Sequence, residues 1–208
     1  MRRRHDRAIL DKPRKKWAVA NTIVSCCVLA STLFSSPPQP VLAKAAAGVK
    51  VGDKAPEFSL PDQDGNLVSL KEFAGKKSVV LYFYPKDDIG VCKKEACLFR
   101  DEYQAFVDAG AEVLGVSSDT VSSHKEFQDK RHLPFKLLSD NHGEVRKLYG
   151  VPRSAAGLLS GRVTFVIDRE GTVRMSFNSM MNAQKHVSRA LKELKEAGSS
   201  DQTPVSAQ

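Results

Sequence analysis

SVVLYFYPKDDIGVCKKEACLFRD, residues 78–101, carries two periodicities back to back. SVVLYFY (78–84) is an unbroken β-branched and aromatic run, the composition required of a strand buried on both faces. From Cys92 the period changes: Phe99, Tyr103, Phe106 and Val107 fall at i, i+4, i+7 and i+8, one face of an amphipathic helix ending at Gly110. A doubly buried strand that feeds a helix belongs to a sheet with helices packed on it.

The flanking sequence extends this pattern. EFSL and LVSL, either side of PDQDGN (57–70), read as a short N-terminal hairpin, and KEFAGKK as a turn. AEVLGVSSD (111–119) is a second buried strand, TVSSHKEFQDKRH a helix, and LPFKLLSD a strand after a proline-fixed turn. HGEVRKLYG is a short helix stopped by Gly150. RVTFVID and TVRMSF (162–177) form a hairpin around Arg-Glu-Gly, and a final helix over about 182–197 buries Val187, Ala190, Leu191 and Leu194. Strands alternating with helices, closed by a hairpin and a helix, predict a three-layer α/β sandwich with a mixed central sheet. The sequence shows no internal repeat, no glycine-rich phosphate loop and no cysteine–histidine cluster with metal-ligand spacing.

The 208 residues are enough for one domain with its own core, so the cysteines are not needed as staples. The formal charge of +8 is unevenly distributed. Residues 1–43 hold eight Lys/Arg against Asp6 and Asp11, so +6 sits there and only +2 remains for the rest. A nearly balanced remainder gives no reason to expect a nucleic-acid partner. The uncharged, mostly apolar WAVANTIVSCCVLASTLF (17–34) follows the basic residues, and SSPPQPVLAKA then ends in small residues. Together these predict a cleavable export segment over 1–45, a domain over 46–197 and a disordered polar tail over 198–208. The alternative for residues 17–34 is a retained anchor, the one route by which this chain would meet a membrane. Cleavage would remove Cys26, Cys27 and Trp17, leaving Cys92 and Cys97 as the only cysteines.

Cys92 sits where a central strand passes into the first turn of a helix. Free N–H groups, the positive end of the helix dipole and nearby Lys93 and Lys94 favour a thiolate there. Cys97, five residues on, is rotated by about 140° and displaced about 7.5 Å along the axis, so the two Cα atoms lie roughly 8–9 Å apart. That is beyond disulfide reach, and bonding requires the first helical turn to unwind. Residue chemistry alone leaves two readings open, a redox pair or two buried apolar thiols. Metal binding and a general thiol–disulfide oxidoreductase are disfavoured, because the spacing is not C-x-x-C and no histidine is near.

The blocks GDKAPEFSLPDQDG, VVLYFYPKDD, KKEACLFRD, GVSSD, LPFKLLSD, YGVP and GRVTFVID resemble, in order, the atypical two-cysteine peroxiredoxins of the peroxiredoxin Q, or bacterioferritin comigratory protein, type. The likeness runs from about Val51 to Leu194. It implies a thioredoxin-like fold and reduction of hydrogen peroxide and alkyl hydroperoxides. It further implies a monomer without a cofactor or metal, recycled by thioredoxin or a similar dithiol. By the same resemblance Cys92 is the peroxidatic cysteine, which passes through a sulfenic acid, and Cys97 the resolving cysteine, which condenses with it to a disulfide. Arg162 is the arginine that stabilises the thiolate and the leaving oxygen, and Pro85 the proline that shapes and shields the loop. The chain departs from the family at Ile89, where the loop pattern Pro-x-x-x-Thr-x-x-Cys places threonine. The missing hydroxyl raises the alternative of a weakened redox sensor or binding protein, with Ser117 or Ser118 as possible replacements. The export segment and the resemblance together imply the thylakoid lumen or plastid, or a bacterial periplasm.

Overall fold

The computed structural model describes residues 48–153 and 160–200, so the expected export segment and the last eight residues lie outside the described residues. Its first element is an antiparallel hairpin of β1 (Ser59–Pro61) and β2 (Leu67–Ser69), followed by a single 3-10 turn at Leu70–Glu72. β3 (Ser78–Phe83), β4 (Ala111–Ser117), β5 (Lys136–Ser139), β6 (Val163–Ile167) and β7 (Val173–Asn178) form one sheet in the order β5-β4-β3-β6-β7. β3 is parallel to β4, and β4 to β5, while β6 runs antiparallel to both β3 and β7. The sheet is therefore mixed: helical crossovers make β3, β4 and β5 parallel, and the closing β6–β7 hairpin supplies the antiparallel pairs.

The central strand shows why its sequence reads as continuous apolar residues. Val79, Leu81 and Phe83 point to one face, into a core with Leu114, Val116 and Phe165. Val80, Tyr82 and Tyr84 point to the other, against Phe99, Phe106 and Val187. The second face is covered by α1 (Gly90–Asp101), α2 (Tyr103–Asp108), α3 (Val121–Arg131) and α5 (Ala183–Ser200). The first is covered by the hairpin, the 3-10 turn and α4 (Glu144–Leu148). The hairpin also closes the sheet edge at β5. There Lys136 pairs with Asp62 at 2.9 Å and the Leu137 N–H donates to Gln63 Oε1 at 3.0 Å, so these groups are not left as an open template.

The long helix expected from Cys92 to Gly110 is two helices, broken at Glu102 (φ −99°, ψ 7°), and it begins two residues earlier, at Gly90. Phe99 and Phe106 are buried as expected, but Val107 is 40% exposed. The short α2 has one face on the sheet; Phe106 occupies it, and the next residue is turned away by about 100°. At the other end of the chain, α5 continues to Ser200, past the expected stop at 197.

Candidate active site

The end of β3 delivers Tyr84 and a buried Pro85 to the loop that enters α1. α3 pins this loop. Asp87 donates its N–H to Asp119 at 2.8 Å and accepts from the Tyr84 hydroxyl at 2.7 Å and the Ser123 hydroxyl at 2.7 Å. The ring Nδ1 of His124 lies 2.9 Å from the Asp87 carboxylate. Asp88, in the left-handed region at φ 50°, pairs with Lys130 at 2.6 Å and with Arg131. Those two cations hold the Asp88 carboxyl down at about 2.

Cys92 is the third residue of α1 and is 3% exposed. The preceding Ile89 is the N-cap and makes no side-chain capping bond, so the first-turn amides receive no acceptor from it. The Nη2 of Arg162 lies 3.1 Å from the Cys92 sulfur, and the backbone N–H of Lys86 also faces it. Arg162, the residue immediately before β6, is 1% exposed and donates Nε to the Met180 carbonyl at 3.3 Å. Its Nη1 is taken by Glu95, one helical turn beyond Cys92 on the same face of α1. Behind Glu95 stands His186 of α5, whose Nδ1 lies 3.6 Å from the second Glu95 oxygen. That ring donates Nε2–H to the Ser179 carbonyl at 2.9 Å and accepts at Nδ1 from the Thr164 hydroxyl at 2.8 Å.

One guanidinium thus bridges a thiol and a carboxyl that are both cut off from water. Burial pushes the Glu95 carboxyl up to about 8, only partly offset by Arg162, so at neutral pH Glu95 is largely protonated. Burial likewise takes His186 down to about 4, leaving the ring neutral. The same effect acts against the thiolate expected at Cys92. Burial raises the thiol, and the Arg162 guanidinium and the Lys86 N–H offset this only in part. For Arg162, burial opposes the charge but the Glu95 and Cys92 groups outweigh it, and its pKa is raised.

Cys97 is half-buried on α1, and both cysteines are free thiols. The helix is continuous from Gly90 through both, so the separation of roughly 8–9 Å expected from helical geometry applies. Ile89 is 41% exposed and supplies no hydroxyl. Of the suggested replacements, Ser117 is buried and donates its hydroxyl to Asp119 at 2.7 Å, and Ser118 is exposed. The structure therefore brings Cys92 and Arg162 into contact and puts Pro85 in the buried start of the loop.

Sequence reasoning missed Glu95, His186, Thr164 and the Asp87–His124 clamp. The i+3 spacing of Glu95 from Cys92 was a legible signal. His186 and Thr164 carry none, because they lie on separate elements. Among the described residues no group of three or more potential metal ligands occurs.

A fixed guanidinium against a sulfur at a helix N-terminus can stabilise a thiolate and donate to an oxyanion forming beside it. Comparisons with known proteins show the family to which the chain belongs. Residues 51–176 match the model of the AhpC/TSA family. The chain is 49% identical over 166 residues to a chloroplastic peroxiredoxin Q of Suaeda salsa, covering 79% of this chain and 77% of that one. Among solved structures it is similar to peroxidoxin BcpB from Mycobacterium tuberculosis, with TM-score 0.67, 37% identity and coverage of 71% of this chain and 97% of that one. It is also similar to a Xanthomonas campestris peroxiredoxin Q, with TM-score 0.62, 30% identity and coverage of 67% and 90%.

Proposed function

The chain belongs to the AhpC/TSA family as a peroxiredoxin of the Q, or bacterioferritin comigratory protein, type, and from that premise we propose how its residues carry out the thiol peroxidase reaction. The Cys92 thiolate attacks the distal oxygen of a hydroperoxide, ROOH. The S–O bond forms as the O–O bond breaks, and the departing RO⁻ takes a proton to leave as ROH. Arg162 stabilises both the thiolate and the oxygen on which charge develops. Cys97 then attacks the Cys92 sulfenic acid, an S–S bond forms, and the hydroxyl leaves as water. Thioredoxin or a related dithiol reduces the disulfide and is itself oxidised, which returns both thiols. Pro85 keeps the loop closed over the sulfur, hydrogen peroxide and alkyl hydroperoxides are the substrates, and the protein works as a monomer.

The observation that carries this reading is the 3.1 Å contact between Arg162 and the Cys92 sulfur in the first turn of α1. The test is to mix the reduced full chain with hydrogen peroxide, quench at intervals and follow Cys92 alkylation by mass spectrometry. Rapid loss of free Cys92, a Cys92–Cys97 linked peptide and no linkage in Cys92→Ser support it. A specific observation favours the second reading, a slow redox sensor: Ile89 offers no hydroxyl and burial raises the Cys92 thiol. A Cys92 rate no greater than that of an ordinary free thiol would establish that reading instead.

Relatives named chloroplastic support a plastid for this chain, with residues 1–45 as the targeting segment. Delivery to the thylakoid lumen, or to a periplasm in a bacterial host, rests on the apolar run at 17–34. A reporter fused to residues 1–45 that stays in the cytosol would dismiss both routes.

A further inference from the structure

On the sheet face opposite α1, at the C-terminal ends of β4 and β5, a cavity of about 560 Å³ opens beside α4. Its walls bring together Arg146, Lys147, Arg153 and His142, and among the described residues no carboxylate lines it. Arg146 forms part of the floor. It is 7% exposed, its Nε has no hydrogen-bond partner among the described residues, and its Nη1 and Nη2 donate to the Ser160 hydroxyl and, at 3.4 Å, to the Tyr84 carbonyl. Both acceptors are neutral, although a guanidinium withdrawn from water is stabilised chiefly by an anion.

The nearest acids are committed elsewhere. Asp140 accepts the backbone N–H groups of Val145 at 3.3 Å and Arg146 at 2.9 Å. Asp119 accepts the Asp87 N–H at 2.8 Å and the Ser117 hydroxyl at 2.7 Å. Their fields favour the Arg146 charge, but burial and the neighbouring Arg153 cation act against it. Among the described residues no carboxylate forms an ion pair with Arg146, Lys147 or Arg153.

The geometry points to a binding site for an organic oxoanion, a compound carrying phosphate or several carboxylates, held by Arg146, Lys147 and Arg153. A planar guanidinium recognises two oxygens of such a group at once, and a second cation beside it favours a multiply charged ligand. The volume argues for a carbon-containing ligand, because small-molecule sites commonly run to about 300–1,000 Å³ and a lone inorganic ion would leave most of this one empty. Val151, 7% exposed, provides an apolar wall for that carbon portion. The cavity does not hold the reacting sulfur, since Cys92 packs on the other face of the sheet, although Arg146 reaches the Tyr84 carbonyl at the start of the loop that carries it.

The test is calorimetric titration of the full chain with pyrophosphate and, separately, with citrate, at constant ionic strength. Both probes are multiply charged, and the tighter one identifies phosphate or carboxylate as the preferred group. Lys147 and Arg153 are exposed, so Lys147→Ser and Arg153→Ser leave the core intact. Each should weaken binding at least fivefold, and the double variant should abolish the saturable heat. Lys192→Ser, an exposed lysine on α5, removes the same charge elsewhere and should leave the affinity unchanged. Failure of both probes to give saturable binding would overturn the proposal. So would an affinity that falls equally in Lys192→Ser, because binding would then follow overall charge.

Discussion

Oxidation to a Cys92–Cys97 disulfide should melt the first two turns of α1 while the rest of the domain keeps its protection. A disulfide needs Cα atoms about 4.4–6.8 Å apart, and an intact helix holds these two roughly 8–9 Å apart, so about 3 Å must be closed. Neither cysteine can make that move alone. Cys92 is tied to Arg162, and Ala96, beside Cys97, is 1% exposed in the core. The helical bond from the Lys93 N–H to the Ile89 carbonyl, 2.9 Å in the reduced form, is among those that must break. Four such bonds, each worth about 1 kcal/mol net, correspond to about 4 kcal/mol, or roughly a 10³-fold loss of protection in the amides of that turn. Hydrogen exchange read by mass spectrometry on the reduced and the oxidised protein measures this directly. Peptides over 90–98 should exchange far faster after oxidation, and α3 serves as an internal control that should not change. Equal exchange over 90–98 in the two states, with the disulfide present, would refute the reasoning.

Ile89→Thr restores the hydroxyl at the N-cap and should raise the rate of Cys92 oxidation by about 10²-fold, measured by stopped flow; an unchanged rate would mean that the hydroxyl is not limiting. Stability should fall from pH 6.5 to 8. Glu95 keeps its proton in the folded state up to about 8, whereas the unfolded chain loses it near 4.5, so raising the pH favours unfolding. Below 6.5 buried His186, held at about 4, produces the opposite slope, and Arg162 stays charged throughout, so the upper window isolates Glu95. The decline should be about 2 kcal/mol by urea unfolding, and Glu95→Gln should flatten it; a flat wild-type profile would rule out the protonated carboxyl. Gly115→Ala places a Cβ 2.7 Å from the Tyr82 ring and 2.8 Å from Leu137 Cδ2, so it should destabilise the fold by about 1–3 kcal/mol in the same assay.

What the sequence determined by itself follows from local physics. A strand covered on both faces must be apolar at every position, so SVVLYFY announces β3, and the hairpins and the short α4 carry their own turn and stop residues. Cys92 at a helix start and Cys97 out of reach followed from helical geometry, because both lie on one element. The break at Glu102 escaped detection, since Phe99 and Phe106 keep their helical spacing across it while only Val107 turns outward.

Tertiary structure alone decided the electrostatics. The chain brings Arg162 from the start of β6, Glu95 from α1 and His186 from α5 to one buried point, and no local pattern encodes that meeting. Spacing put Cys92 beside helix amides and lysines, which favour a thiolate. Only the packed core revealed how thoroughly water is excluded, and burial of that depth outweighs what the Arg162 guanidinium and the Lys86 N–H offer the thiolate.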